Sequence, residues 1–481
     1  LLQLTTDQFD ALLATDYFQP LSFNLKEIRH RALDKLSKTE ETLINDLSTD
    51  GYHAWNTLYN TVSGALKIPV EIDGQSLILS PGQAANMMSS PNRTTRCIVF
   101  KAWEDAWSSV AETCALAINE IAGFRLQVYN HRQWADVLQE PLENNRMTRK
   151  TLDIMWETIN RNKPALVQFL ERQKQLLGTD QLSWHDYTAP MGQSNKTYTL
   201  DEAANFVVKH VSSFGQSMGD LVTKAFTNNW VETENRDNKR AGAFCSSSPV
   251  EKQSRVFMTF SGSTRNISTM AHELGHAYHQ SVMNELAPIS QRYAMNVAET
   301  ASTFSELVVS AATLAAAESE EERIALLSAN LQRAVSLLMN IQSRFLFETR
   351  FYERRREGYV SVPELNQLMV DAQKEAFCDS LDEYHPHFWA SKLHFYSTRT
   401  PFYNFPYTFG YLFSAGVYAR ALAEGTAFEA KYQSLLRDTG RMRVEDLARK
   451  HLGVDIESAE FWQDAIDNVL SGLPEFLELT N

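Results

Sequence analysis

Cysteine is scarce in this chain, and its spacing excludes more than its presence suggests. Four cysteines occur in 481 residues. Cys97, Cys114, Cys245 and Cys378 form no C-x-x-C pair, which rules against a cysteine-based zinc site. So few in so long a chain also exclude a disulfide framework and imply a reducing compartment, the cytoplasm. Glycine (19) and proline (14) are sparse too. Few turns between Ala-, Leu- and Glu-rich stretches imply a mainly α-helical protein. Positive charge is in deficit: the formal net charge is −14, which disfavours nucleic acid and anionic membranes as partners. No basic region precedes the apolar residues of the opening LLQLTTDQFDALL, so no signal peptide is read. The most apolar later run, Leu307 to Ala317, is too short to cross a bilayer. The N-x-[ST] matches at Asn92, Asn195 and Asn266 are therefore read as chance. The first residue is Leu1 rather than Met, so a preceding segment is expected.

The length implies two or three subdomains or one large layered body. Helices with polar connections are predicted up to about residue 65. Pro69 to Leu79 reads as a β-hairpin turning at Asp73-Gly74. Helical patterns run from Thr95 to Leu177; Trp103, Trp107, Val110, Cys114, Ala117 and Ile121 trace one buried stripe. A further helix is predicted over Leu200 to Asn228. The rhythm breaks over residues 235–262, where Arg255 to Phe260 is a strand candidate. A helix is expected to start near Asn266. Glu318 to Glu322 reads as a solvated helix end, and Ser361 to Glu364 as a capping box.

The chemistry concentrates in Thr269-Met-Ala-His272-Glu273-Leu-Gly-His276-Ala-Tyr-His279. On a helix, His272 and His276 are separated by about 40° and one turn, so both imidazoles face one point. Zinc takes neutral imidazole nitrogens and leaves a position open for water in catalytic sites. Glu273 then stands where it can take a proton from that water. Gly275 inside the helix costs about 1 kcal/mol relative to Ala and points to close packing of another element.

A third ligand is sought in Met295-Asn-Val-Ala-Glu299-Thr-Ala-Ser-Thr-Phe-Ser-Glu306. Glu299 and Glu306, seven apart on one helix, sit among apolar neighbours, where carboxylates need a cation or donors. A metal compensates Glu299; Glu306 then orients a ligating histidine from behind. His279 lies on the same helical face, but a fourth protein ligand would close the site, so it is assigned to support or packing. His385 and His387 are read as loop histidines without an acidic partner set.

H-E-L-G-H-A-Y-H followed by A-E-T-A-S-T-F-S-E closely resembles the oligoendopeptidase F branch of the thimet oligopeptidase family. Lys239 to Cys245 and Phe402 to Tyr411 extend the similarity, which runs over nearly the whole chain. The resemblance implies a large helical ellipsoid with a deep substrate channel and a small β-sheet beside the zinc-binding helix. It implies an N-terminal helical domain, shortened, over residues 1–150 and a catalytic domain over 151–481. It also implies one zinc ion per chain and short unstructured peptides as substrates. A histidine and tyrosines from the C-terminal segment are implied at the site: His394 and Tyr411 match, and the other tyrosine is Tyr403 or Tyr407, because the spacing is one residue longer than in thimet-type enzymes.

The expected activity is therefore zinc-dependent endopeptidase action on short peptides, with Glu273 as general base and Tyr411 and His394 stabilising the oxyanion. The strand at Arg255–Phe260 is expected to pair with substrate backbone. Two alternatives use the same ligands: a carboxypeptidase-like zinc exopeptidase, and an inactive metal-bearing peptide binder. The ligand types also accommodate cobalt or manganese.

Overall fold

The computed structural model describes residues 1–192, 196–236, 239 and 242–481. Asn195 and the Arg240-Ala241 part of the Lys239–Cys245 motif lie outside the described residues. The fold is mainly α, with two small sheets among the described residues.

Helices Thr6–Leu13, Ser22–Leu33, Lys38–Ser48 and Ala54–Ala65 open the chain. Two of them start with capping boxes, at Thr5/Gln8 and Ser37/Glu40. Asn24 ties the second to the body: its Nδ2 donates to Gly440 O at 2.9 Å, and its Oδ1 accepts from Ser290 Oγ at 2.9 Å. Strands β1 (Ile68–Ile72) and β2 (Gln75–Leu79) form the expected hairpin, with positive φ at Asp73 and Gly74.

The long helical stretch is several helices, Arg93–Ser109, Ala111–His131, Gln139–Asn144 and Arg149–Leu176. Cys114 is a buried core residue, as the stripe required. The stretch predicted as one helix over Leu200–Asn228 is two, Leu200–Phe214 and Gln216–Thr227. The break at Gly215 is sealed from outside: the Glu429 carboxylate accepts the N–H of Gln216 at 3.2 Å and of Ser217 at 2.8 Å. Those are orphan donors of the second helix.

The second sheet has the order β3-β5-β4, comprising Val231–Glu232, Gln253–Phe257 and Phe244–Ser248. β3 runs parallel and β4 antiparallel to β5. The strand predicted at Arg255–Phe260 thus begins earlier and ends at Phe257. Beyond it, Met258 N and Phe260 N still donate to Glu232 O and Thr233 O, at 3.0 and 3.1 Å. Because β5 is central, it cannot accept a further strand; β3 and β4 are the edges.

The sheet packs against the helix Thr264–Met283, which starts at the N-cap Ser263. That helix lies along Thr300–Ala315, and the contact is closest at Gly275. A Cβ there would lie 2.5 Å from Ala301 O and 2.6 Å from Ser302 Cα, so any larger residue would push the two backbones apart. Phe405–Glu424 also packs against Thr300–Ala315. Glu320–Val335 continues through a π-turn, Ser336–Asn340, into Ile341–Arg355. By length and composition this 36-residue helix could cross a bilayer, but half of its most apolar window is buried inside the protein. The capping box predicted at Ser361/Glu364 is present, Ser361 N donating to Glu364 Oε2 at 2.9 Å.

Candidate metal centre

His272 and His276 project from the middle of Thr264–Met283, one turn apart, with ring centroids 4.9 Å apart at 87°. Their side chains keep 24% and 22% of their exposure, enough to be reached from outside. Glu299 reaches them from the neighbouring segment. That segment is not one helix, as the sequence pattern predicted. Met295–Ala298 ends at Glu299, and Thr300–Ala315 begins there. Two serines hold the break: Ser302 Oγ donates to Glu299 Oε2 at 2.7 Å, and Ser414 Oγ donates to Glu299 O at 3.0 Å. Gly410 lets Phe405–Glu424 come this close, since a Cβ there would sit 3.2 Å from Glu299 Cβ.

Glu299 Oε2 lies 3.3 Å from His272 Nε2 and 3.7 Å from His276 Nε2. One atom from each of the three residues lies within 4.8 Å of the others. Two imidazole nitrogens and a carboxylate oxygen converging on one point, about a quarter exposed, fit a catalytic zinc position. A second group meeting the same distance limit, His30, Asp34 and Glu143, lies on the surface, with the His30 side chain 66% exposed.

Behind the first histidine, His272 Nδ1 lies 3.3 Å from Glu306 Oε2. Glu306 is in turn paired with Arg333. Burial raises the Glu306 carboxyl, but Arg333 and His272 outweigh it and hold the pKa at about 2. Burial lowers His272, and Glu306 with Glu299 carries it above its ordinary value. This pairing puts a proton on Nδ1 and turns the Nε2 lone pair to the convergence point. Burial pushes His276 down to about 4, leaving it neutral at pH 7. Arg333 escaped the sequence reading. It is the one charged residue in the apolar stretch from Ile324 to Ile341, a signal that could have found it.

Glu273 is buried, next to β4. Burial pushes its carboxyl up to about 7; His272 opposes this, and Glu299 and Glu306 add to it. His279 is fully buried and away from the convergence point. Its Nε2 pairs with Thr439 Oγ1 at 2.8 Å, and its ring stacks on Tyr293 at 4.3 Å. It packs the helix.

The C-terminal segment divides the candidate tyrosines. His394, Tyr403 and Tyr407 form one group: His394 lies 5.0 Å from Tyr403 and 6.3 Å from Tyr407, ring to ring, and the two tyrosines are 5.9 Å apart. Tyr407 is raised by burial, then by Tyr403 and by the charge of Glu299. Burial, Arg344 and Lys392 push His394 down to about 4. Tyr411 is elsewhere. It is buried with the Arg333 guanidinium 5.6 Å from its ring centroid, and burial pushes its hydroxyl up to about 12. One helical turn beyond Tyr407, it lies with the Glu306–Arg333 pair.

His385 and His387 are not partnerless loop histidines. Both Nδ1 atoms pair with Glu104 of Arg93–Ser109, His387 at 2.7 Å. Trp103 Nε1 also donates to His385 Nε2 at 3.2 Å. A partner 283 positions away is invisible to local sequence reading.

Two family models match this chain, Peptidase family M3 over residues 86–468 and Oligopeptidase F over residues 1–68. Among curated relatives, Oligopeptidase PepF of Bacillus subtilis (strain 168) is 24% identical over 475 residues, covering 97% of this chain and 70% of that protein. Group B oligopeptidase PepB of Streptococcus agalactiae is 24% identical over 474 residues, covering 96% and 77%. Among solved structures, a Chlamydophila abortus protein described as a peptidase superposes with a TM-score of 0.88 at 22% identity, covering 99% of this chain and 80% of that one. Oligoendopeptidase-F from Enterococcus faecium gives 0.75 at 18% identity, covering 99% and 81%.

Proposed function

The chain belongs to peptidase family M3, and from that premise we propose that it is a zinc-dependent endopeptidase cutting internal bonds of short unstructured peptides. The observation that carries this reading is the convergence of His272, His276 and Glu299 beside the buried base Glu273. One zinc ion per chain would be held by those three residues. When bound, such an ion polarises a carbonyl and acidifies a water.

The remaining work falls to the chain. A Glu273 carboxylate oxygen accepts the proton of the attacking water and passes it to the leaving amine nitrogen. A pKa near 7 suits both transfers. Glu306 and Arg333 hold the His272 ring in place. Tyr407 Oη and the neutral His394 ring donate to the developing oxyanion of the peptide, with Tyr403 packing between substrate and ring. Tyr411 supports Arg333 instead. The free edge of β4, beside Glu273, offers backbone donors and acceptors to a peptide in extended form, a mode that reads main chain and tolerates varied side chains.

The family names of the relatives support short peptides as substrates. The cysteines are free, which supports a reducing, cytoplasmic setting; nucleic acid and membranes are not among the proposed partners. The domain division is proposed at residue 150, where Arg149–Leu176 begins.

The test is cleavage of an internally quenched peptide blocked at both termini, with and without chelator and added zinc. Chelator-sensitive internal cleavage restored by zinc is expected. Zinc-loaded protein that leaves the blocked peptide intact but trims a free one would make it an exopeptidase; binding without cleavage of either would make it a peptide binder.

A further inference from the structure

In a chain of net charge −14, one corner beside His394 gathers cations and no acids. Arg344 donates Nε to Asn340 Oδ1 at 2.8 Å and Nη1 to Asn404 Oδ1 at 3.1 Å. Both acceptors are neutral amides. Lys392 stands two residues before His394. The Arg344 and Lys392 heads lie over the same ring, 5.1 and 4.9 Å from the Phe388 centroid. Among the described residues, no carboxylate pairs with either. The charged neighbour that acts on Lys392 is Arg344, and both cations bear on His394. Burial and this repulsion push the Lys392 amine down to about 7. Two buried polar nitrogens of the same corner also lack partners, His394 Nδ1 and Asn404 Nδ2. Asn404 is itself only 1% exposed.

Like charges held together in a largely desolvated corner without a counter-ion are costly. Both side chains keep partial exposure, and the unpartnered amide nitrogen of Asn404 belongs to the residue that accepts from Arg344. An anion with several acceptor oxygens would relieve the repulsion and accept from the N–H groups of Arg344 and Lys392 that have no carboxylate partner. A carboxylate meets an arginine fork and an ammonium well. Next to the corner stand His394, Tyr403 and Tyr407, the last within reach of the Glu299 charge.

We propose that Arg344 and Lys392 form a carboxylate-binding subsite that anchors the peptide substrate beside the cleavage position. This rests on the peptidase reading and adds a specificity to it. The carboxylate is either the C-terminus of the peptide or an acidic side chain, and the two sources are separable.

The experiment uses the full chain carrying Glu273→Gln, loaded with zinc, so that peptide is bound and not cut. Calorimetry gives dissociation constants for three N-acetylated peptides of neutral sequence. One ends in a free carboxylate, one in an amide, and one in an amide with a single Glu near the end. A carboxylate-bearing peptide is expected to bind about tenfold or more tightly than the neutral amide, the scale of one charge-assisted contact. Preference for the first peptide identifies the terminus; preference confined to the third identifies an acidic side chain. Lys392→Met brings the acid-to-amide ratio close to one, and Lys392→Arg restores it. Equal or absent binding of the three, or a ratio that neither Lys392→Met nor Arg344→Gln changes, overturns the subsite. The peptidase reading fails by a different result: the wild-type chain with zinc cuts none of the three peptides, whatever their binding ratios.

Discussion

Glu306 lies 3.3 Å from Nδ1 of His272, on the side of the ring away from the convergence point, and Arg333 holds Glu306 from behind. The pair fixes both the tautomer and the angle of the His272 ring, one of the three proposed zinc ligands. Supporting partners of this kind are worth about 10–100-fold in metal affinity. Glu306→Gln is therefore expected to weaken zinc binding by about that factor, measured by competition with a chromophoric chelator. Far-ultraviolet circular dichroism should stay that of the parent. Parent-like zinc affinity in this variant would falsify the orienting role.

The packing of Thr264–Met283 on Thr300–Ala315 depends on Gly275. The groups a Cβ would meet include two backbone atoms of the partner helix, Ala301 O at 2.5 Å and Ser302 Cα at 2.6 Å, and backbone cannot step aside as a side chain can. Gly275→Ala gains helix propensity of about 1 kcal/mol and loses about 1–3 kcal/mol or more to overpacking. A net fall in thermal midpoint is expected, with zinc affinity falling too, because the same displacement moves Glu299 from the histidines. A raised midpoint would show that the two helices yield more easily than the contact suggests.

How much of this was legible in the sequence depends on the distance between partners. His272, Glu273 and His276 share one turn of helix, so periodicity alone placed them. Glu299 and Glu306 were visible as carboxylates among apolar residues, but the break at Glu299 was not, because Ser414 that helps hold it is 115 positions away. The Asp73-Gly74 turn and the Ser361/Glu364 cap are local and were read correctly. Glu104 with His385, and Arg333 with Glu306, are tertiary pairs that no spacing encodes. The edge position of β4 follows from sheet order, and sheet order is set by β3 arriving from upstream.

Glu348 offers a pH test outside the ligand cluster. Its fully buried carboxyl accepts the N–H of Phe402 at 3.0 Å, where φ is +50°, next to Tyr403. Its other oxygen has no partner. Burial pushes the pKa up to about 8; Arg125 and the Phe402 N–H oppose this. The unfolded carboxyl titrates near 4.5, so between about 4.5 and 8 the folded state holds the extra proton. Stability from this group is present at low pH and falls as pH rises through that window. Each unit of raised pKa corresponds to about 1.4 kcal/mol. Glu348→Gln keeps an oxygen for Phe402 and removes the titration. The expected outcome is a flatter stability profile from pH 5 to 8 and a higher midpoint than the parent at pH 8, read by denaturant unfolding. A variant with the parent's slope would place the titration elsewhere.

Tyr407 and Tyr411 are one helical turn apart and should behave differently. Tyr407 stands with His394 and Tyr403 and feels the Glu299 charge; Tyr411 is buried against Arg333. An oxyanion donor acts where charge develops in the transition state, and losing one costs about 10²–10³ in turnover. Tyr407→Phe is expected to lower kcat by about that factor, with KM and zinc content close to the parent. Tyr411→Phe keeps the ring over the guanidinium, so its kcat should fall by much less. Both are measured on the blocked peptide at saturating substrate. If Tyr411→Phe is the crippled variant and Tyr407→Phe is not, the oxyanion donor is on the Arg333 side, as the sequence motif alone suggested, and the grouping of Tyr407 with His394 serves packing.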